Sequence, residues 1–217
     1  MIGQLTRAFH RVADAYRRNL SVFWPTVGSR GFTEHNQVHQ FCKEAERVLP
    51  SPVATYLEVP FGGSDRLDGL VVNLIEEHPA LVLLEAKRIK EGGYDKAYEW
   101  VASDAKRLQD ESRIQSICTR IMNPAYFAAV HVYTVCLADV WVGNTKRSTE
   151  VVNRWCNSES PICAGWEGGT FLASGAVYNG RSAKRKEVEY RLLLGIGPDK
   201  YTFEPNQALR RTAIRRS

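Results

Sequence analysis

The chain has 217 residues, of which 44% are hydrophobic and 24% charged, a composition that fits one folded domain and excludes a largely disordered chain. No apolar run is long enough to span a membrane or to form a signal-peptide core, and five cysteines without a CxxC pair exclude a disulfide framework and a cysteine-rich zinc site, so a reducing cytoplasm is the expected location. The formal net charge of +5 favours polyanionic partners as a class.

The first fifty residues predict two helices. Residues 1–20 carry apolar side chains at helical spacing, which indicates an amphipathic helix of the fold: Ile2, Leu5, Phe9, Val12, Tyr16 and Leu20. A second helix is expected to begin after an N-cap at Thr33 and to run to about Leu49, where Pro50 follows. Glu34 lies four residues before Val38, so it shares the apolar face of that helix.

Three strands are predicted next, as an antiparallel meander. They cover Val53 to Val59, Arg66 to Ile75 and Ala80 to Ile89, and turn residues separate the first two. An alternative remains open for the third segment. Pro79 to Glu91 could form a helix, because leucine, glutamate, alanine, lysine and arginine all have high helix propensity.

The second half of the chain predicts further helices and strands. A long helix follows Gly92 and Gly93, with an apolar stripe formed by Tyr98, Val101, Ala105 and Leu108. The later segments are a buried strand within Tyr126 to Val142, a helix around Ser148 to Cys156, and strands at Gly169 to Tyr178 and Tyr190 to Ile196. The predicted fold class is α/β, with a mixed central sheet flanked by helices.

Three charged residues interrupt apolar strands and indicate a chemical site. Asp68 lies in the second strand of the meander, and Glu85 and Lys87 lie two residues apart in the third. Residues two apart in a strand project from the same face, and the neighbouring strand can bring Asp68 beside them. Two buried carboxylates repel each other unless a cation joins them, and their oxygens suit Mg²⁺ or Mn²⁺. A lysine beside such a metal can position water or neutralise developing charge.

This pattern resembles the PD-(D/E)XK superfamily, which includes restriction endonucleases, resolvases and repair nucleases. Asp68, Glu85 and Lys87 stand at the three motif positions, while Leu67 replaces the proline that often precedes the aspartate. The resemblance implies a restriction-endonuclease-like core within a single domain of residues 1–217. That core would cover residues 33–138, with a helical extension at 1–30 and a C-terminal elaboration at 143–217.

The resemblance also implies roles for individual residues. Asp68, Glu85 and the main-chain carbonyl of Ala86 would bind Mg²⁺ or Mn²⁺, Lys87 would orient or activate water, and Glu34 would be an accessory acid. The implied activity is hydrolysis of phosphodiester bonds, with DNA as the expected partner. The alternative is a nuclease-fold module with little catalysis that binds nucleic acid or protein. Neither the oligomeric state, including a homodimer, nor the choice between DNA and RNA is specified by the sequence.

Several nearby residues have two interpretations. Glu34 could simply cap its helix. His35 and His39 are four apart on a helix but lack an evident third ligand, which favours a surface or packing role. Asp104 and Arg107 could form a local helical pair or lie beside the site. A basic loop could contact phosphates or be a solvated turn; its residues are Arg181, Lys184, Arg185 and Lys186.

Overall fold

The structure is a computed structural model. The structure describes residues 1–22, 34–75, 79–89, 94–123, 129–143, 146–157, 166–181, 187–198 and 201–204. No helix within these ranges has both the length and the apolar character needed to cross a membrane.

Groups of helices and groups of strands follow one another along the chain. The helices are α1 (Ile2–Val22), α2 (Glu34–Val48), α3 (Tyr94–Leu108), α4 (Glu111–Ile121) and α5 (Lys146–Trp155). The strands are β1 (Val53–Pro60), β2 (Arg66–Asn73), β3 (Ala80–Ile89), β4 (Val130–Gly143), β5 (Thr170–Ala173), β6 (Tyr178–Arg181), β7 (Glu187–Ile196) and β8 (Tyr201–Phe203).

The described strands form one mixed eight-stranded sheet in the order β1-β2-β3-β4-β7-β5, with β6 on β7 and β8 on β4. Strands β1, β2 and β3 form the predicted antiparallel meander. Strand β4 runs parallel to β3, because helices α3 and α4 return the chain to the starting end of the sheet. The predicted α/β class with a mixed central sheet is therefore confirmed.

Helices cover both faces of the sheet. Helices α1 and α2 pack on one face, where Phe9 and Phe41 are fully buried against β2, β3 and β7. Helices α3, α4 and α5 pack on the other, around Val101 and Trp155. The apolar strands β3 and β4 lie between these layers, as expected for parallel strands that are buried on both faces.

Several sequence-based expectations need correction. The helical alternative for Pro79 to Glu91 is wrong, because Ala80–Ile89 pairs with strands on both sides. Helix α4 and strand β8 were not predicted. The single strand expected over Gly169 to Tyr178 is two short strands, β5 and β6, that pair with different halves of β7. The expected N-cap at Thr33 and the basic tail lie outside the described residues.

Candidate active site

The candidate site lies at the split of the meander, where strands β2 and β3 stop pairing with each other. The ladder between β2 and β3 ends at the pair Gly69 and Leu84. Strand β2 continues along β1 as far as Arg66, and β3 continues along β4 as far as Ile89. From Glu85 onward, one edge of β3 therefore has no strand beside it among the described residues. Main-chain N–H groups on such an edge need other acceptors.

Two carboxylates supply those acceptors. Asp68 Oδ2 accepts a hydrogen bond from the Ala86 N–H at 2.7 Å, and Glu34 Oε1 accepts one from the Arg88 N–H at 3.0 Å. In a strand, the N–H and the C=O of one residue lie on the same edge. The carbonyl of Ala86 therefore also lies on the edge that faces Asp68. Strand β2 and the first turn of α2 thus bring two of the predicted acids to the free edge of β3.

Asp68, which is half-buried, and Glu85, which is buried, form a close carboxyl pair. Burial raises the pKa of Glu85 to about 8, and the negative charge of Asp68 adds to this increase. Burial also raises the pKa of Asp68, although hydrogen bonds from the Ala86 N–H and from the Glu85 carboxyl partly oppose it. The pair consequently holds a proton near neutral pH when no cation is bound. A divalent cation would remove the same repulsion by replacing that proton.

Helix α3 supplies two further charges that contact the motif residues. Arg107 Nη2 lies 2.5 Å from Glu85 Oε1 and 3.2 Å from Asp104 Oδ1. Lys87 Nζ lies 2.8 Å from Asp104 Oδ2. Burial opposes the charge on Lys87, but its hydrogen bond to Asp104 and the surrounding acids raise its pKa overall. Lys87 is therefore a fully protonated, fixed cation beside the carboxyl pair.

Asp104 and Arg107 satisfy both of the interpretations that the sequence left open. They are three residues apart on α3 and form a local helical pair. They also reach β3, because the apolar stripe of α3 packs on β3 and β4 and directs its flank toward Glu85 and Lys87. In the sequence, this arrangement is indicated by the spacing of Asp104 and Arg107, because residues three apart share one face of a helix. Both side chains are largely buried in the folded protein.

A second buried polar network supports the far side of β3 and was not predicted. Asp139 Oδ2 accepts hydrogen bonds from Arg88 Nε at 3.1 Å and from the Tyr190 hydroxyl at 2.8 Å, and Asp139 Oδ1 accepts one from Gln37. Burial raises the pKa of Asp139 to about 6 despite these partners. The network joins α2, β3, β4 and β7 behind the site. A lone acid within the apolar run of β4 was its signal in the sequence.

The histidines of α2 and Glu58 lie at the protein surface. His35 Nε2 lies 2.6 Å from Glu58 Oε1, and both side chains are exposed. His39 is exposed on the same helix, so of the surface or packing role expected for both histidines the structure shows the surface position. Glu58 falls between the ladder pairs that flank Asp68 and has a φ of 54°. This left-handed conformation is uncommon for residues other than glycine and interrupts β1 opposite Asp68.

Most of the predicted basic loop lies outside the described residues, and only the main chain of Arg181 is described. Arg181 ends β6, at the same end of the sheet as Ile89 and Gly143. Strands β4 and β7 separate β6 from β3, a distance of about 14 Å across the sheet. The side chain of Arg181 lies outside the described residues, as do Lys184, Arg185 and Lys186. Their predicted contact with phosphates stays a prediction.

The donor set at the split fits a hard divalent cation. The residues that the structure describes contain no group of three or more His, Cys, Asp or Glu side chains arranged to hold a metal ion. A cation at the split would instead draw on two carboxyl groups, those of Asp68 and Glu85, and on the main-chain carbonyl of Ala86. Such oxygen-only sets, completed by water, suit Mg²⁺ and Mn²⁺.

Comparison with known proteins leaves the family of the chain undefined. No protein-family model matches the sequence. Neither the search of curated proteins nor the search of solved structures found a significant match.

Proposed function

We propose that this protein is a metal-dependent nuclease that hydrolyses phosphodiester bonds, with DNA as its substrate. The observation that carries the proposal is the convergence of Asp68, Glu85, Lys87 and the Ala86 main chain at the free edge of β3. The order of elements also supports a restriction-endonuclease-like core. A helix, a three-strand meander, helices and a parallel strand follow one another in the chain.

Each residue has a separate role in the proposed reaction. Asp68, Glu85 and the Ala86 carbonyl would hold Mg²⁺ or Mn²⁺. The cation, when bound, supplies a Lewis acid for the phosphate and lowers the pKa of a water. Lys87 orients the attacking water and balances the charge that develops on the phosphate. Glu34 fixes the edge of β3 through the Arg88 N–H and adds negative charge beside Lys87.

Asp104 and Arg107 extend the site onto α3. Asp104 holds the Lys87 ammonium group at 2.8 Å, which restricts the lysine to one position. Arg107 balances the charge of Glu85 and presents a guanidinium group at the same edge. Guanidinium groups match the geometry of phosphate oxygens. Arg107 can therefore bind a substrate phosphate when a metal cation, instead of Arg107, is bound to Glu85.

The test is cleavage of supercoiled plasmid and of circular single-stranded DNA by the purified protein. We expect cleavage with Mg²⁺ or Mn²⁺ and none with a chelator. Lys87→Ala should abolish cleavage, whereas Lys106→Ala, which changes an exposed lysine on α3, should leave it intact. Absence of metal-dependent cleavage of every DNA and RNA form by the unaltered protein would refute the proposal.

One observation favours a second candidate, a nuclease-fold module that binds nucleic acid or protein without cleaving it. Arg107 already contacts Glu85, and Asp104 already forms an ion pair with Lys87, so each of these four side chains has a partner without a cation. Under this candidate the network is structural. Mn²⁺ would then bind no more tightly to the unaltered protein than to Glu85→Gln, and DNA binding would persist without cleavage.

A further inference from the structure

We propose that Trp100, with Lys96, forms a stacking platform for an unpaired base of single-stranded nucleic acid at the entrance to the candidate active site. The inference rests on the proposed function, because the site supplies the reason for a strand to lie there. It adds a preference for unpaired over paired nucleotides, which the catalytic residues do not themselves provide.

Trp100 is an unusual tryptophan in this fold. Its exposed fraction is 52%, whereas Trp155 and Trp166 are fully buried. Trp141 is partly covered and packs against Tyr178 and Tyr190. Of the tryptophans that the structure describes, Trp100 alone is exposed. An indole ring exposed in this way contributes little to the core, and it presents a large flat surface for another ring.

The position of Trp100 on α3 links it to the site. Residues 96, 100, 104 and 107 lie within one quarter of the helix circumference, because successive residues turn by about 100°. Asp104 and Arg107, on this stripe, contact Lys87 and Glu85. Trp100 precedes Asp104 by one turn, about 6 Å along the helix axis. The exposed ring therefore lies one helical turn from a residue that touches the catalytic lysine.

Charge on the same stripe suits a nucleic acid strand. Lys96 Nζ lies 5.4 Å from the centre of the Trp100 ring, which is a cation–π contact. The Lys96 ammonium group contacts one face of the indole ring and restricts its position. The same group supplies a positive charge that can bind a backbone phosphate. Arg107 provides a second cation two turns from Trp100, beside Glu85. A backbone that follows the stripe from Lys96 to Arg107 would pass the platform and reach the carboxyl pair.

The nucleic acid that binds at Trp100 is single-stranded in this proposal, because paired bases are already stacked on their neighbours. A ring on the protein surface can stack only on a base that is unpaired or at a strand end. A duplex could contact Lys96 through its phosphates but would gain nothing from the indole ring. Trp100 should consequently affect binding of single strands far more than binding of duplexes.

The experiment measures binding of fluorescent oligothymidylate and of a duplex of equal length, in chelator, by anisotropy. We expect Trp100→Ala to weaken single-strand binding about 5- to 100-fold, the range typical of one base–aromatic stack, and Trp100→Phe to retain most of it. Duplex binding should change little. Tyr56→Ala is the matched control, since Tyr56 is also 52% exposed but lies on the edge strand β1.

The outcomes separate this inference from the proposed function. Unchanged single-strand binding by Trp100→Ala, or an equal loss for both ligands, would overturn the platform even if the unaltered protein cuts DNA. A selective loss supports the platform even if no cleavage occurs, in which case only the catalytic proposal fails. Failure of the unaltered protein to bind single strands would also overturn it. Unchanged thermal unfolding of Trp100→Ala would verify that the fold is intact.

Discussion

Asp68 accepts the main-chain N–H of Ala86 at 2.7 Å, at the point where β2 separates from β3. This single contact places a carboxylate from one strand against the residue between Glu85 and Lys87 in the next. Because the Ala86 carbonyl lies on the same edge as its N–H, the contact also orients a main-chain oxygen toward Asp68.

The stability of the metal-free protein should fall between pH 6 and pH 8. The pKa of Glu85 in the folded protein, about 8, is above its ordinary value, so the folded state retains a proton that the unfolded state has lost. The free energy of unfolding therefore decreases as pH rises through this window, by on the order of 1–3 kcal/mol. Asp139, whose pKa is raised to about 6, should add a decrease in the free energy of unfolding as pH rises toward 6.

The measurement is urea unfolding at pH 6 and pH 8 in chelator. Glu85→Gln removes the titrating group and should make stability nearly independent of pH in this window. Saturating Mn²⁺ should stabilise the unaltered protein more at pH 8 than at pH 6, because the cation must displace the proton. An equally steep decline in Glu85→Gln would assign the pH dependence to other groups.

Asp104→Asn should reduce turnover while leaving metal affinity nearly unchanged. Asp104 contacts Lys87 at 2.8 Å and raises its pKa, so the amide leaves the lysine less firmly placed and easier to deprotonate. We expect a loss of about 10- to 100-fold in kcat, as for other residues that orient a reacting group. The descending, alkaline limb of the pH–rate profile should move to lower pH. A purely structural role would reduce stability and leave that limb in place.

Arg107→Met should separate metal binding from substrate binding. Arg107 lies 2.5 Å from Glu85 and competes with a cation for it, so its removal should strengthen Mn²⁺ binding. The loss of the guanidinium should weaken DNA binding and raise KM. Calorimetry with Mn²⁺ and anisotropy with DNA test both effects. Weaker Mn²⁺ binding by Arg107→Met would instead show that Arg107 stabilises the metal site and does not compete with the cation for Glu85. Arg113→Met, at the half-exposed pair with Asp65, serves as the control.

Gly69→Ala should destabilise the protein, because helix α2 crosses closely behind the residue that follows Asp68. A Cβ at Gly69 would overlap Val38 Cγ1 and lie 3.1 Å from Leu84 Cδ1. Overpacking of this kind costs about 1–3 kcal/mol. Val38→Ala makes room, so the double variant should be less destabilised than the sum of the single variants. Strict additivity in urea unfolding would show that the two positions do not compete for space.

The sequence was most informative where patterning and burial agree. Strand β3 was predicted because Leu81 to Leu84 show no helical period, and its pairing on both sides overrode the helix propensity of Glu85 to Arg88. The shared face of Glu85 and Lys87 followed from strand periodicity. Helix α4 was missed although Ile114, Ile117, Cys118 and Ile121 recur at helical spacing after an N-cap at Asp110. Strand β8 was missed because three residues carry almost no pattern.

Long-range partners were beyond the sequence for a physical reason. The bonds of Arg88 and Tyr190 to Asp139 depend on the register of three strands, which no local pattern encodes. The ion pair between Arg107 and Glu85 likewise depends on where α3 crosses β3. The end of the β2–β3 ladder at Gly69 and Leu84 likewise depends on how two strands diverge, which no local pattern encodes.

The most direct test of the central claim is Mn²⁺ binding to the unaltered protein and to Asp68→Asn, measured by calorimetry at pH 8. Asn keeps nearly the same shape but is a poorer ligand for a hard cation. We expect affinity to fall at least tenfold in Asp68→Asn, while DNA affinity in chelator holds or rises because repulsion of the phosphate is relieved. Asp65→Asn changes a half-exposed acid three residues away and should bind Mn²⁺ normally. Equal Mn²⁺ affinity in Asp68→Asn and in the unaltered protein would contradict the assignment of Asp68 as a metal ligand, and with it the proposed active site.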